Sequence, residues 1–83
     1  MTAKYIRDAI IKNANDIYFD YNGKHAGIES SAKNGIITYE MWFGIGDTFK
    51  NKTSQNIDEV FRIKFFDGKS LIDLLNIVEF DFA

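Results

Sequence analysis

The sequence predicts a single small α+β domain, and three features carry that reading. The first is a one-sided apolar pattern near the N-terminus: Ile6, Ala9, Ile10 and Asn13 fall at i, i+3, i+4 and i+7. The second is a pair of Asn-Gly dipeptides, Asn22-Gly23 and Asn34-Gly35, each between strand-like runs. Asn-Gly is the strongest short hairpin signal, because a type I′ turn needs φ > 0 at both central residues. The third is Ser70 with Asp73, a capping-box-like start ahead of Leu71, Leu74, Leu75 and Val78 at helical spacing. Together they predict an N-terminal helix, a three-stranded antiparallel meander, one or two short C-terminal helices and a candidate fourth strand. At 83 residues the chain, 1–83, has room for one domain only.

Each element has a local reason. Thr2 can cap the first helix, with Lys4, Arg7, Asp8 and Lys12 on its polar side and Asn13-Ala14-Asn15-Asp16 ending it. A two-residue turn at Asn22-Gly23 places Tyr21 opposite Lys24, Phe19 opposite Ala26 and Ile17 opposite Ile28, so register and apolar pattern agree. The other face then carries Asp20 opposite His25 and Tyr18 opposite Gly27, where an aromatic ring compensates for the missing side chain. A tight second turn puts Ile28 opposite Met41 and Ala26 opposite Phe43; the alternative is a longer loop that absorbs Ser30-Ser31-Ala32-Lys33. Gly44-Ile45-Gly46-Asp47 and the polar stretch to Gln55 read as loop. Asn56 or Ser54 caps a short helix through Ile57, Val60 and Phe61. Phe65-Phe66-Asp67-Gly68 reads as a break with buried anchors. Val78-Glu79-Phe80-Asp81-Phe82 alternates strictly and reads as a short final strand, with the helix running on to Val78 as the alternative.

Composition narrows the function. Apolar residues make up 46% and charged residues 27%, values of a folded globular chain. No apolar run approaches the ~20 residues of a membrane helix. Lys4, Arg7 and Asp8 stand where a signal peptide would be apolar, so a cytoplasmic protein is expected. Without cysteine there is no disulfide, thiol chemistry or Cys-based zinc site. A net charge of −2 argues against nucleic acid, which demands a basic patch. No cofactor or metal motif stands out. Gly44-x-Gly46 lacks the third glycine of a phosphate-binding loop, with Phe49 in its place. Asp20-Tyr21-Asn22-Gly23 has Tyr18 where a calcium loop needs an acid or amide.

Two constellations remain. His25, the one histidine, faces Asp20 across the first hairpin as an oriented His–carboxylate pair. Ser30 and Ser31 lie several residues along and no oxyanion-hole motif accompanies them, so the plain reading is a solvent-facing hairpin pair. A small enzyme or ligand-binding subunit using His25 with Asp20 or Glu29 is the alternative function. The second constellation is the outer face of the meander, where Asp16, Glu29 and Glu40 line up beside Tyr18, Gly27 and Trp42. Three like charges in a row repel and burden a sheet. Acidic groups beside a Tyr/Trp pair suit a Lys- or Arg-bearing partner. The leading expectation is therefore a non-enzymatic interaction module that grips a basic protein surface. Two plainer arrangements compete: a helix covering Trp42, or a looser second turn that dissolves the row.

The stretch Phe65-Phe66-Asp67-Gly68-Lys69-Ser70-Leu71, with the ending Val78-Glu79-Phe80-Asp81-Phe82, resembles the endings of small uncharacterised bacterial or phage proteins. The resemblance lies within the C-terminal quarter, implies no activity and carries over no functional residue.

Overall fold

A computed structural model describes residues 1–83 and has the expected α+β architecture. Helix α1 spans Ala3–Ile11, and the Thr2 hydroxyl accepts the Tyr5 N–H at 3.1 Å as its cap. Ile6, Ala9 and Ile10 are buried, whereas Asn13 lies beyond the helix end and is exposed. Strands β1 (Ile17–Tyr21), β2 (Lys24–Lys33) and β3 (Ile36–Gly44) form the meander. Both Asn-Gly pairs take the turn their chemistry dictates: Asn22 and Gly23 have φ of 56° and 76°, Asn34 and Gly35 of 54° and 78°. The registers follow directly, Phe19 with Ala26 and Ile17 with Ile28, then Ile28 with Met41, Ala26 with Phe43 and Lys33 with Ile36. The second turn is therefore tight, and Ser30 to Lys33 belong to β2.

The polar stretch after Gly44 departs from the loop expectation. Only Ile45 to Phe49 turn, through one 3-10 segment at Gly46–Thr48, and Lys50–Ser54 then form strand β4 against β3. This strand shows no apolar alternation, because it is an edge whose inner positions are lysines. The Lys50 ammonium sits 4.7 Å from the Phe65 ring centroid and 6.0 Å from that of Phe43, laying its stem over the core. The strand thus covers the core's rim with an exposed, charged side chain, which periodicity does not register.

Helix α2 (Ile57–Arg62) starts at Asn56, whose Oδ1 accepts the N–H groups of Asp58 and Glu59. A third positive-φ pair, Asp67 and Gly68, turns the chain between Phe66 and Lys69. Helix α3 (Leu71–Leu74) opens with a reciprocal capping box, Ser70 Oγ to the Asp73 N–H and Asp73 Oδ2 to the Ser70 N–H. It is a single turn ending at Leu74, after which the chain continues in tighter turns, with Leu75 N–H bonded to Ile72 and both Ile77 and Val78 N–H bonded to Leu74. The tail is a strand over only Asp81–Phe82, named β5, paired with Ile17 and Tyr18. Val78 and Phe80 pack on the core without joining the ladder.

The sheet runs β4-β3-β2-β1-β5. Its inward face meets buried residues of all three helices in one cluster of 17 residues. Phe66 is fully buried at the centre, edge-on to Phe19, Phe43 and Phe65 at 5.1, 5.6 and 5.1 Å. No buried side-chain polar atom lacks a hydrogen-bond partner. No helix is long and apolar enough to cross a membrane.

Candidate functional site

The opposite face of the sheet has no helix on it. Strand alternation delivers Tyr18 and Asp20 from β1, His25, Gly27 and Glu29 from β2, Glu40 and Trp42 from β3, and Asn51 from β4. Asp16, Tyr18, Glu29, Glu40 and Trp42 are each half-buried, neither sealed nor freely solvated. The ring neighbours of Trp42 come from β1 and the β3–β4 turn: Tyr18 at 6.1 Å, tilted 49°, and Phe49 at 6.2 Å, stacked within 23°. Phe49 is 55% exposed.

Glycine at two positions makes this aromatic group. A Cβ on Gly27 would come within 2.5 Å of the Trp42 ring, so the indole rests directly on the strand backbone. The ring that compensates Gly27 is thus that of Trp42, not that of Tyr18 as the pairing alone suggested. At Gly44, with φ of +134°, a Cβ would meet Phe49 Cα and the Thr48 carbonyl at 2.5 Å. The chain folds back over Gly44 and delivers Phe49 to Trp42. Sequence reasoning missed Phe49; the glycines flanking Ile45 were its one available signal. It also missed Asn51, because nothing local marks β4 as a strand.

The acidic row exists, with Glu29 directly opposite Glu40. Asp16 stands just outside the β1–β2 ladder, its N–H and C=O instead bonded at 3.0 Å to Ala83 beside β5. The charges are less burdensome than their alignment implies, because each carboxylate has a neutral donor. Trp42 Nε1 donates to Glu29 at 3.2 Å, Asn51 Nδ2 to Glu40 at 2.9 Å, and the Tyr18 hydroxyl to Asp16 at 3.5 Å. None of the three has a cation, whereas Asp8, Asp58, Asp67 and Asp73 elsewhere each hold a Lys or Arg. The local field is negative. Partial burial, then the charges of Glu29 and Asp16, raise the Tyr18 phenol above its ordinary pKa. Neither these carboxylates nor any other His, Asp and Glu groups converge into a set of three able to hold a metal ion.

His25 and Asp20 are brought together as their register requires, Nδ1 to Oδ1 at 2.6 Å. Both side chains are well exposed, at 64% and 78%. Three surface grooves exist, and neither residue lines any of them.

No family model matches the chain, and neither the curated proteins nor the solved structures give a significant match.

Proposed function

We propose that this domain is a non-enzymatic protein-interaction module whose outer sheet face receives a basic partner. The observation that carries the reading is the stacked, half-open Trp42–Phe49 pair beside three carboxylates that have no cation of their own. A Lys or Arg side chain laid across these rings gains cation–π attraction, and its head group finds the row of Asp16, Glu29 and Glu40. The hydrogen bonds from Trp42, Asn51 and Tyr18 hold those carboxylates in place before binding, which lowers the ordering cost.

The alternative, a small enzyme or ligand-binding subunit built on His25 and Asp20, has the short contact in its favour but no concavity to hold a substrate.

Trp42 is the one tryptophan, so its emission reports directly on the face. Titration with a Lys/Arg-rich peptide should change that emission saturably, less so at high salt, while a Glu-rich peptide leaves it unchanged. Trp42→Ala should weaken binding by about 2 kcal/mol or more, a hot-spot effect. Glu40→Gln should reduce affinity and salt sensitivity with stability kept or slightly raised, because a repulsion across the strands is relieved. An emission indifferent to the basic peptide, or binding unchanged in Glu40→Gln, overturns the proposal.

A further inference from the structure

The β2–β3 hairpin outreaches the rest of the sheet. β1 pairs with β2 only as far as Ile28, and β4 pairs with β3 only back to Tyr39. Beyond those points Ser30 to Thr38 project as a two-stranded arm. Successive residues of an antiparallel strand turn their N–H and C=O groups to opposite sides. With type I′ turns at both ends of β2, Ser31 and Lys33 bond to β3, while Ser30 and Ala32 face the side where β1 has ended. The backbone groups of Ser30 and Ala32 on that side have no partner in the protein. A groove of about 230 Å³ runs along the same edge, walled by Ile11 and Ala14 on one side and by Ser30 to Ala32 on the other, with Ile37 in its lining. Ile11 and Ile37 are 46% and 48% exposed. Every lining residue is uncharged.

The sheet's two outermost strands are protected in the usual ways. β4 carries Lys50 and Lys52, and β5 is two residues long. The arm is open both along Ile36-Ile37-Thr38 on β3 and along Ser30-Ser31-Ala32 on β2, and the β2 edge, with Lys33 only at its end, is the one that borders the groove. It is an open template for an extended backbone.

We infer that this edge is a self-association surface, on which a second copy of the chain pairs antiparallel through its own Ser30–Lys33. An isologous pairing is self-complementary by symmetry, so unpaired donors of one strand meet unpaired acceptors of the other. With Ala32 opposite its counterpart, Ser31 faces Lys33 and Ser30 faces Asn34 across the axis, and no like charges oppose. Placing Ser31 on the axis instead would drive Asn34 against Ile28, whose edge β1 already holds. The same pairing brings Ile11 and Ile37 of both copies under the continuous sheet and removes them from water. A charged peptide would find no complementary charge in this groove, whereas a second copy needs none. The surface is separate from the aromatic–acidic face, and the two readings stand or fall independently.

Sedimentation equilibrium from about 1 μM to about 1 mM tests the inference. The expected result is a monomer–dimer equilibrium. Ala32→Pro removes an edge donor without touching the β2–β3 ladder. That variant and Ile37→Lys should each weaken dimerisation at least about tenfold with the far-ultraviolet circular dichroism unchanged. Amide exchange at Ser30 and Ala32 should slow as concentration rises. A protein monomeric throughout the range overturns the inference, as does a dimer that both variants leave intact. Should Ala32→Pro unfold the chain, Ile37→Lys and the exchange rates decide.

Discussion

The indole of Trp42 rests on the bare backbone of Gly27, its neighbour across the β2–β3 ladder. Glycine in a strand normally weakens it, but here the missing Cβ is the space the ring occupies. The contact seats Trp42 low enough for Nε1 to reach Glu29 and for Phe49 to stack on it.

Gly27→Ala should therefore act on the site more than on the fold. The ring is a half-exposed side chain and can swing outward, so the stability cost should be about 1–3 kcal/mol, the range of a modest overpacking. Trp42 emission should shift to the red as the indole enters water. Urea unfolding and an emission spectrum of the variant check both halves, and an unshifted spectrum would refute the seating.

Gly44→Ala should be worse. There the obstructing atoms are backbone, Phe49 Cα and the Thr48 carbonyl, and the φ of +134° strains any L side chain. Backbone strain of about 1–3 kcal/mol adds to the steric term, so this variant should be the less stable of the two glycine substitutions. Comparison of their urea midpoints tests the order.

Leu74 is fully buried and Ser70 caps the same short helix, so the two substitutions separate packing from capping. Leu74→Ala should cost about 2–5 kcal/mol. Ser70→Ala should cost about 0.5–2 kcal/mol. A chain of this size has only about 4–12 kcal/mol in total, so the first variant should be visibly destabilised at room temperature. Equal midpoints would mean that α3 is not packed as described.

Acid should find the same capping box. The Lys64 ammonium and then the Ser70 N–H hold the Asp73 carboxyl down at about 2, against 3.8 for an ordinary aspartate. A carboxylate with a depressed native pKa binds its proton more readily when unfolded. Its contribution is thus present above about pH 4 and is lost as pH falls from there through about 2. Asp8 and Asp67, lowered chiefly by Lys4 and by Asn22, act in the same direction. Thermal melts should show stability falling over that interval, and Asp73→Asn should flatten the fall.

Much of this fold is legible residue by residue. Asn22-Gly23 and Asn34-Gly35 each state a turn, and with the turns set, the register of three strands is arithmetic. Thr2, Asn56 and Ser70 announce three helix starts because each cap is satisfied within three residues. The outer-face row of Glu29, Glu40 and Trp42 follows from the same register. The edge strand β4 does not, because the rings that its Lys50 lies over are those of Phe43 and Phe65, which come from elsewhere in the chain. Nor does the clasp in which Asn22 and Lys24 of the first hairpin both donate to Asp67, which is more than 40 residues away.

What the chain determined by itself, then, is conformation: positive φ at Asn-Gly, helical periodicity, reciprocal capping and alternation along strands. These preferences act over two to four residues and need no knowledge of the rest. The tertiary structure alone decided occupancy of faces. It placed all three helices on one side of the sheet, left Trp42 open on the other, folded Phe49 back onto it and stopped β1 and β4 short of the β2–β3 arm. Those outcomes turn on which distant apolar surfaces reach one another first in a close-packed core, a competition that no local pattern encodes.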